Sequence, residues 1–383
     1  MRIRPAVVNL DHSLIREISD AHMGRDNLIA LWFGEPDTPT PDFIKQAAML
    51  ALYDDHVFYA QNRGIPQLRQ ALSTYVSALH QRPIGIDRLT VTGSGMNAIM
   101  LATQALIDQG DNMVVVGPVW PNCRETVHVM GGETRVISLH ADESGRWSLD
   151  LDELLAACDD RTRGIFVNSP GNPTGWVMPR AQQEELLIAA RERGVFIVAD
   201  EVYVRLAYDM AHAPSFLDIA DDDDALIVIN SFSKSWSMTG WRLGWLTHSP
   251  AMGEVFAKLN EFNIASPTTF VQHAGVVAIT EGEEFVLSLV ENYRRNRDLV
   301  FQRLAAMKRV RLSRPEAAFY AFFSVDGMTD SVAFAHDLIE KTGVGLAPGL
   351  AFGPEGEGWM RLCFAAEADT LSRAMDRLEP ALS

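Results

Sequence analysis

Cysteine is scarce in this chain of 383 residues. Cys123, Cys158 and Cys363 are odd in number and far apart. They supply neither a disulfide framework nor a zinc-ligand pattern, and they suit a reducing cytoplasm. Long apolar runs are missing as well: no stretch approaches the roughly 20 apolar residues that span a bilayer. Charges break every apolar stretch of the opening "MRIRPAVVNLDHSLIREISD", which predicts no secretory signal. Positive charge is in short supply, with 33 Lys and Arg against 50 Asp and Glu, a net −17. That balance argues against nucleic acid or an anionic membrane as a partner. The acidic run Asp221 to Asp224 has no histidine or further carboxylate cluster beside it, so it reads as a solvated loop and not a metal site. Internal repeats and low-complexity linkers are absent too. These absences predict a cytoplasmic globular protein long enough for two or three domains.

From about Leu89 to His248, short apolar runs alternate with helical patterns. The runs "LTVT", "NMVVV", "TRVISL", "RGIFVN", "VFIVAD", "ALIVIN" and "LGWLTH" read as strands. Between several of them lie amphipathic stretches such as "NAIMLATQALIDQ" and "PRAQQEELLIAARERG". The second opens with Pro179 and closes at Gly194, as a helix should. Such alternation predicts an α/β fold whose large domain has a mostly parallel sheet covered by helices. One long helix is expected from Glu283 to about Arg309. The strand "FYAFFSV", a helix near Ser331 to Lys341, the strand "MRLCFA" and a closing helix follow, and together they predict a smaller α+β domain. The expected division is residues 1–40, joined to the small domain, 41–280 as the large domain, and 281–383 as the small C-terminal domain.

Chemistry gathers at the ends of the strands. "TGSGMNA", Thr92 to Ala98, follows a strand and opens a helix, and so offers backbone N–H groups to a phosphate. A dinucleotide reading would need an acid at the end of the next strand, where the chain has "GPVWPN". "NSPGNPTG", Asn168 to Gly175, is either a turn or a site whose asparagine amides face a ligand. Asp200 ends "VFIVAD" as either a cap or a buried functional carboxylate, with Tyr203 one helical turn on. "SFSKSWSMTGWRLGW" then sets Lys234 just past a strand, with Arg242 eight residues later. Ser233 precedes that lysine where a Walker A loop needs glycine. A lysine kept from bulk water loses its proton and can form a Schiff base with an aldehyde. A phosphate cradle, an asparagine, an aspartate, a tyrosine, a lysine and an arginine at successive strand ends suit one cofactor, pyridoxal 5'-phosphate.

The ordered set resembles the class I/II aminotransferases of the pyridoxal-phosphate fold type I (aspartate aminotransferase) superfamily, from about Phe33 to Arg361. The resemblance implies that Lys234 holds the cofactor as a Schiff base and shuttles the substrate's α-proton. Asp200 would pair with the pyridine N–H, Asn172 and Tyr203 would bond the ring's phenolic oxygen, and Trp120 would stack on the ring. Gly95, Met96 and Asn97, with Ser231 and Arg242, would bind the phosphate. Arg361 in "MRLCFA" would grip the substrate α-carboxylate, and Gly34 in "FGEPD" belongs to the loop closing over it. Tyr59 would reach the phosphate of a neighbouring subunit, implying a homodimer with shared sites. The implied reaction moves an amino group from an L-amino acid to a 2-oxo acid such as 2-oxoglutarate or pyruvate.

One residue departs from the pattern. Part of the aspartate-preferring branch has a lysine after the paired glycines of the phosphate loop, and this chain has Met96. The substrate side chain is therefore left open. Trp32, Phe33, Trp236 and Phe319 are either pocket lining or core. Two rival activities share the scaffold: β-elimination, which would release pyruvate and ammonia without an acceptor, and ligand sensing, which would usually bring an added DNA-binding domain.

Overall fold

A computed structural model describes residues 3–383. All seven sequence-predicted runs enter one sheet: β1 (Leu89–Thr92), β2 (Asn112–Gly117), β3 (Glu133–Ser138), β4 (Thr162–Asn168), β5 (Phe196–Asp200), β6 (Leu226–Ser231) and β7 (Gly244–His248). Their spatial order is β1-β7-β6-β5-β4-β2-β3. The pairs within β6-β5-β4-β2-β3 are parallel, whereas β7 runs antiparallel to both of its neighbours. Six of the strands are buried at nearly every position because both faces are covered, whereas the edge strand β3 is only partly buried. Val114, Ile165, Ile197 and Val228 point into one core. The alternate residues Val115, Phe166, Val198 and Ile227 point into a second core on the opposite face.

The helices follow their sequence signals. Gly95–Leu106 is capped by Ser94, whose hydroxyl accepts from the Asn97 N–H. Arg180–Arg193 ends at Gly194 in the left-handed conformation, φ 63°. The long helix is shorter than the sequence suggests, Glu283–Ala305. There the chain turns, with the Met307 N–H on the Leu304 carbonyl, to deliver the next strand. A second sheet contains β8 (Val310–Arg311), β9 (Tyr320–Val325), β10 (Ala347–Pro348) and β11 (Trp359–Cys363), in the order β8-β9-β11-β10 and antiparallel throughout. Helices Ser331–Thr342 and Ala368–Leu382 accompany it. The acidic run is a loop, but an ion-paired one: Arg191 meets Asp224 at 2.6 Å and Asp221 at 3.0 Å, and Arg88 holds Asp222.

Register places the chemistry. Asn168 at the end of β4 pairs with Asp200 at the end of β5. Gly244, which begins β7, pairs with Ser231 of β6 on one side and Thr92 of β1 on the other. The carboxyl ends of four strands and the start of an antiparallel one thus share one edge.

Candidate active site

A cavity of about 400 Å³ opens at that edge, between the large sheet and β9 and β11 of the small one. Lys234 stands in its wall, one short helical turn past β6. Its amine donates to the Gly34 carbonyl at 2.7 Å and lies about 6 Å from the Tyr203 and Phe319 rings. Burial, aided by the positive charges of Arg361 and Arg242, lowers its pKa to about 8. Near pH 7 the charged form still predominates, but the amine gives up its proton far more readily than a free lysine.

Asp200 is buried, and burial raises its pKa to about 7. Its side chain accepts one backbone hydrogen bond, from Val202 at 3.3 Å, and among the described residues it has no cationic partner at ion-pair distance. Tyr203 follows on a tight turn and not on the helical turn expected, with the Leu206 N–H on its carbonyl. Its hydroxyl bonds that of Tyr320 at 2.7 Å, and burial raises both phenols, Tyr203 well above its ordinary value.

Arg361, in β11, is also buried. It donates to Asn172 Oδ1 at 2.8 Å and to the Trp32 carbonyl, and its Nε has no partner. The rings of Tyr320 and Phe352 flank it at 4.5 and 4.7 Å. A buried guanidinium without an anion among the described residues is costly unless a ligand supplies one.

The phosphate-facing side is built by close approach. A Cβ on Gly244 would stand 2.8 Å from the Gly95 nitrogen and the Asn230 carbonyl, so only glycine lets β7 bring Ser231 against the helix N-terminus at Gly95. Gly95, Met96, Ser231 and Arg242 all line the cavity there. Arg242 holds a left-handed backbone, φ 54°, an unusual choice for a non-glycine residue. Trp120 covers the cavity from the opposite side, its N–H on the Asn172 carbonyl at 3.0 Å.

Two expected residues lie elsewhere. Asn97 is not in the cavity wall: its Oδ1 turns back to accept from the Gly93 N–H at 3.0 Å, and its own N–H is taken by Ser94. Tyr59 is 90% exposed and is not in the wall of its own chain's cavity. Of the four ambiguous aromatics, Phe33 lines the cavity, while Trp32, Trp236 and Phe319 are buried in the core. Sequence reasoning missed Tyr320, Ser233 and Arg16, which also line it. Ser233 could have been found in the lysine motif; Tyr320 looked like one more core aromatic.

These groups fit pyridoxal phosphate: a buried carboxylate lacking a cation, a helix N-terminus and an arginine for a phosphate, and a buried amine poised to lose its proton. The site and fold define a pyridoxal-phosphate enzyme of fold type I. The family model for aminotransferase class I and II matches residues 26–378. An aspartate aminotransferase of Pyrococcus horikoshii is 32% identical, covering 99% of this chain and 97% of its own. An aromatic-amino-acid aminotransferase of Thermococcus litoralis is 31% identical over 97% of this chain and 95% of its own. The solved aspartate aminotransferase of Thermotoga maritima superposes with a TM-score of 0.93 at 32% identity, covering 99% of this chain and all of that one. The chain belongs to the class I and II aminotransferases and is a pyridoxal-phosphate-dependent transaminase.

Proposed function

We propose that this transaminase works through Lys234, Asp200, Tyr203 and Arg361, in a site completed by a second copy of the chain. The observation that carries the reading is the state of Lys234: a buried amine, brought down to about 8, between a buried carboxylate and a buried guanidinium that each lack a charge partner. When bound, pyridoxal phosphate supplies the aldehyde carbon and a ring that draws electrons from the substrate's α-carbon. Arg361 binds the α-carboxylate through its planar fork, and Asn172 and the Trp32 carbonyl fix that fork's orientation. Lys234 would take the substrate's α-proton as general base and hand it on within the same site. Asp200 holds a proton at the ring nitrogen, and Tyr203 and the Asn172 amide hold the ring oxygen. Trp120 covers the ring and excludes water. The Gly95 and Met96 N–H groups, Ser231 and Arg242 receive the phosphate; Asn97 acts only by shaping that turn. Either 2-oxoglutarate or pyruvate serves as acceptor.

Several large apolar side chains left exposed support the dimer. Tyr53, Phe58, Tyr59 and Phe262 are 75–90% exposed, with Met49 and Leu50 beside them. Residues 58–60 lie along the start of helix Thr269–Glu281, through Phe58 to Thr269 and Ala60 to Ser266. Ile264, on the same flank, packs beside Gly93 at the phosphate turn. Exposed large apolar side chains of this kind are what a partner covers, and a two-fold partner would bring its own Tyr59 to the phosphate. We divide the chain at residues 40 and 280; the pairing of Ile29–Ala30 with Val344–Gly345 supports joining residues 1–40 to the small domain. No helix among the described residues is long and apolar enough to cross a membrane, and three unpaired thiols suit the cytoplasm.

Borohydride reduction of the cofactor-loaded protein, followed by peptide mapping, tests the central assignment. The pyridoxyl group should appear on Lys234; a label on Lys258 overturns it.

A further inference from the structure

Among the described residues, one group of three side chains with metal-ligating atoms comes together: His80, His212 and Asp218. One ligand atom from each lies within 4.8 Å of the other two. They come from three separate segments. His80 is the last residue of helix Pro66–His80, His212 sits in the irregular segment 208–215, and Asp218 closes the short turn Phe216–Asp218. None of them lines the 400 Å³ cavity, so neither cofactor nor substrate accounts for them.

Hydrogen bonds set the donor atoms. His212 Nδ1 lies 2.9 Å from the Ala213 carbonyl, which can only accept, so that nitrogen carries the proton and Nε2 keeps a lone pair. Metal-binding imidazoles are oriented by such a bond on their other nitrogen. His80 Nδ1 and Asp218 Oδ1 are 2.7 Å apart and share one proton, with both side chains largely buried. Ligand atoms sit about 2.0–2.2 Å from a zinc ion, so two atoms this close can hold one ion in that proton's place. The negative end of the helix dipole at His80 also favours a cation. The second oxygen of Asp218 is already occupied: Oδ2 accepts from the Ser215 N–H at 3.0 Å, with Arg180 3.7 Å away. Arg180 is itself paired with Glu184 at 3.0 Å. Ser215 Oγ in turn donates to Glu201, the residue after Asp200.

We propose that His80, His212 and Asp218 form a structural site for a divalent first-row transition ion such as Zn²⁺, with water completing its coordination. Two neutral imidazoles and one carboxylate suit a borderline ion of this kind; Mg²⁺ and Ca²⁺ prefer oxygen ligands. Binding displaces the proton shared by His80 and Asp218 and releases it to solvent. The ion clamps the end of helix Pro66–His80 to the segment 200–218, which carries Asp200 and Tyr203.

The test titrates ZnCl₂, and separately CoCl₂, into cofactor-loaded protein that has been dialysed against a chelator. Calorimetry in two buffers of different ionisation heat should show one Zn²⁺ bound per chain with release of about one proton. Co²⁺ should give the visible absorption of a low-coordinate site, and Zn²⁺ should raise the Tm. His212→Gln removes one ligand at a half-buried position. It should weaken Zn²⁺ binding at least about tenfold and abolish both the Co²⁺ absorption and the Tm rise. Two other histidine pairs, His22–His336 and His56–His273, are controls, and His22→Gln and His273→Gln should change none of these readouts. Loss of the site with either control variant overturns the proposal. So does Zn²⁺ binding that is no tighter in wild type than in His212→Gln, which would leave His80 and Asp218 as a hydrogen-bonded clamp without an ion. Wild type decides even if His212→Gln fails to fold: no stoichiometric Zn²⁺ and no Co²⁺ absorption also overturn it.

Discussion

The hydroxyls of Tyr203 and Tyr320 share one hydrogen bond of 2.7 Å, and both rings are buried against Phe319. Tyr203 comes from the turn after β5 and Tyr320 from the first residue of β9, so the bond ties the two sheets together at the cavity wall. Gly34 makes room for it, since a Cβ there would overlap the Tyr320 hydroxyl. Tyr320→Phe should keep the cofactor yet free the Tyr203 hydroxyl to rotate. A net hydrogen bond of about 0.5–1.5 kcal/mol corresponds to a two- to tenfold fall in kcat. Steady-state rates at saturating substrate check this, and an unchanged kcat would show that the pair only packs.

Asp200→Ala should fold and lose nearly all transamination, because nothing else in the cavity can hold a proton at the ring nitrogen. The loss should persist at saturating cofactor, which separates chemistry from retention. Near-normal turnover under that condition contradicts the role.

The cofactor-free protein carries a stability cost at Lys234. Its folded pKa of about 8 lies below the unfolded value of 10.5, so folding disfavours the charged form. The cost is full below pH 8, where the amine is charged in both states. It fades as pH rises from 8 to 10.5 and the unfolded chain gives up its proton as well. Lys234→Met should therefore raise the unfolding free energy of the cofactor-free protein at pH 7 by on the order of 3 kcal/mol, and its Tm with it. The advantage should shrink toward pH 10. A gain that did not change with pH would mean that packing, not charge, limits this position.

Arg361→Ala should lower kcat/KM for every amino acid tested, since all share the α-carboxylate. The charge-assisted pair is worth roughly 1.5–3 kcal/mol, hence at least about tenfold. An effect restricted to acidic substrates would transfer Arg361 to the substrate's side chain.

Mixed dimers test the shared site. A Lys234→Ala subunit is inactive, and a Tyr59→Ala subunit should bind cofactor poorly. Refolded together, they should form one site carrying both defects and one with intact Lys234 and the partner's intact tyrosine. Cofactor titration should then reveal a restored high-affinity site. Mixed dimers without that recovery would confine Tyr59 to its own subunit.

The sequence carried the sheet almost whole, because strands buried on both faces are continuous apolar runs and cannot be mistaken for amphipathic surfaces. It also carried the residues that end those strands, since register follows from the runs themselves. Arg16 was illegible for the opposite reason: in "SLIREISD" it is one charge among several on an amphipathic helix, and only tertiary packing turns it toward Phe33. Tyr320 was hidden in "FYAFFSV", where a functional hydroxyl looks like core. Asn97 misled because its residue type suits a ligand, while its helical position lets the side chain reach back to Gly93.

The reversed direction of β7 has a mechanical result. A parallel strand after β6 would need a crossover that carries the chain back to the opposite edge of the sheet before the strand begins. Because β7 runs back, its beginning meets the end of β6, and both ends of the link 232–243 stand at the cavity. Lys234 lies near one end of that link and Arg242 near the other. The group proposed to react and the group proposed to anchor the phosphate are thus two marks on one ruler, whose ends are fixed by ladder hydrogen bonds. Lengthening the link by even one residue should leave the fold intact but put the anchored phosphate out of step with the amine.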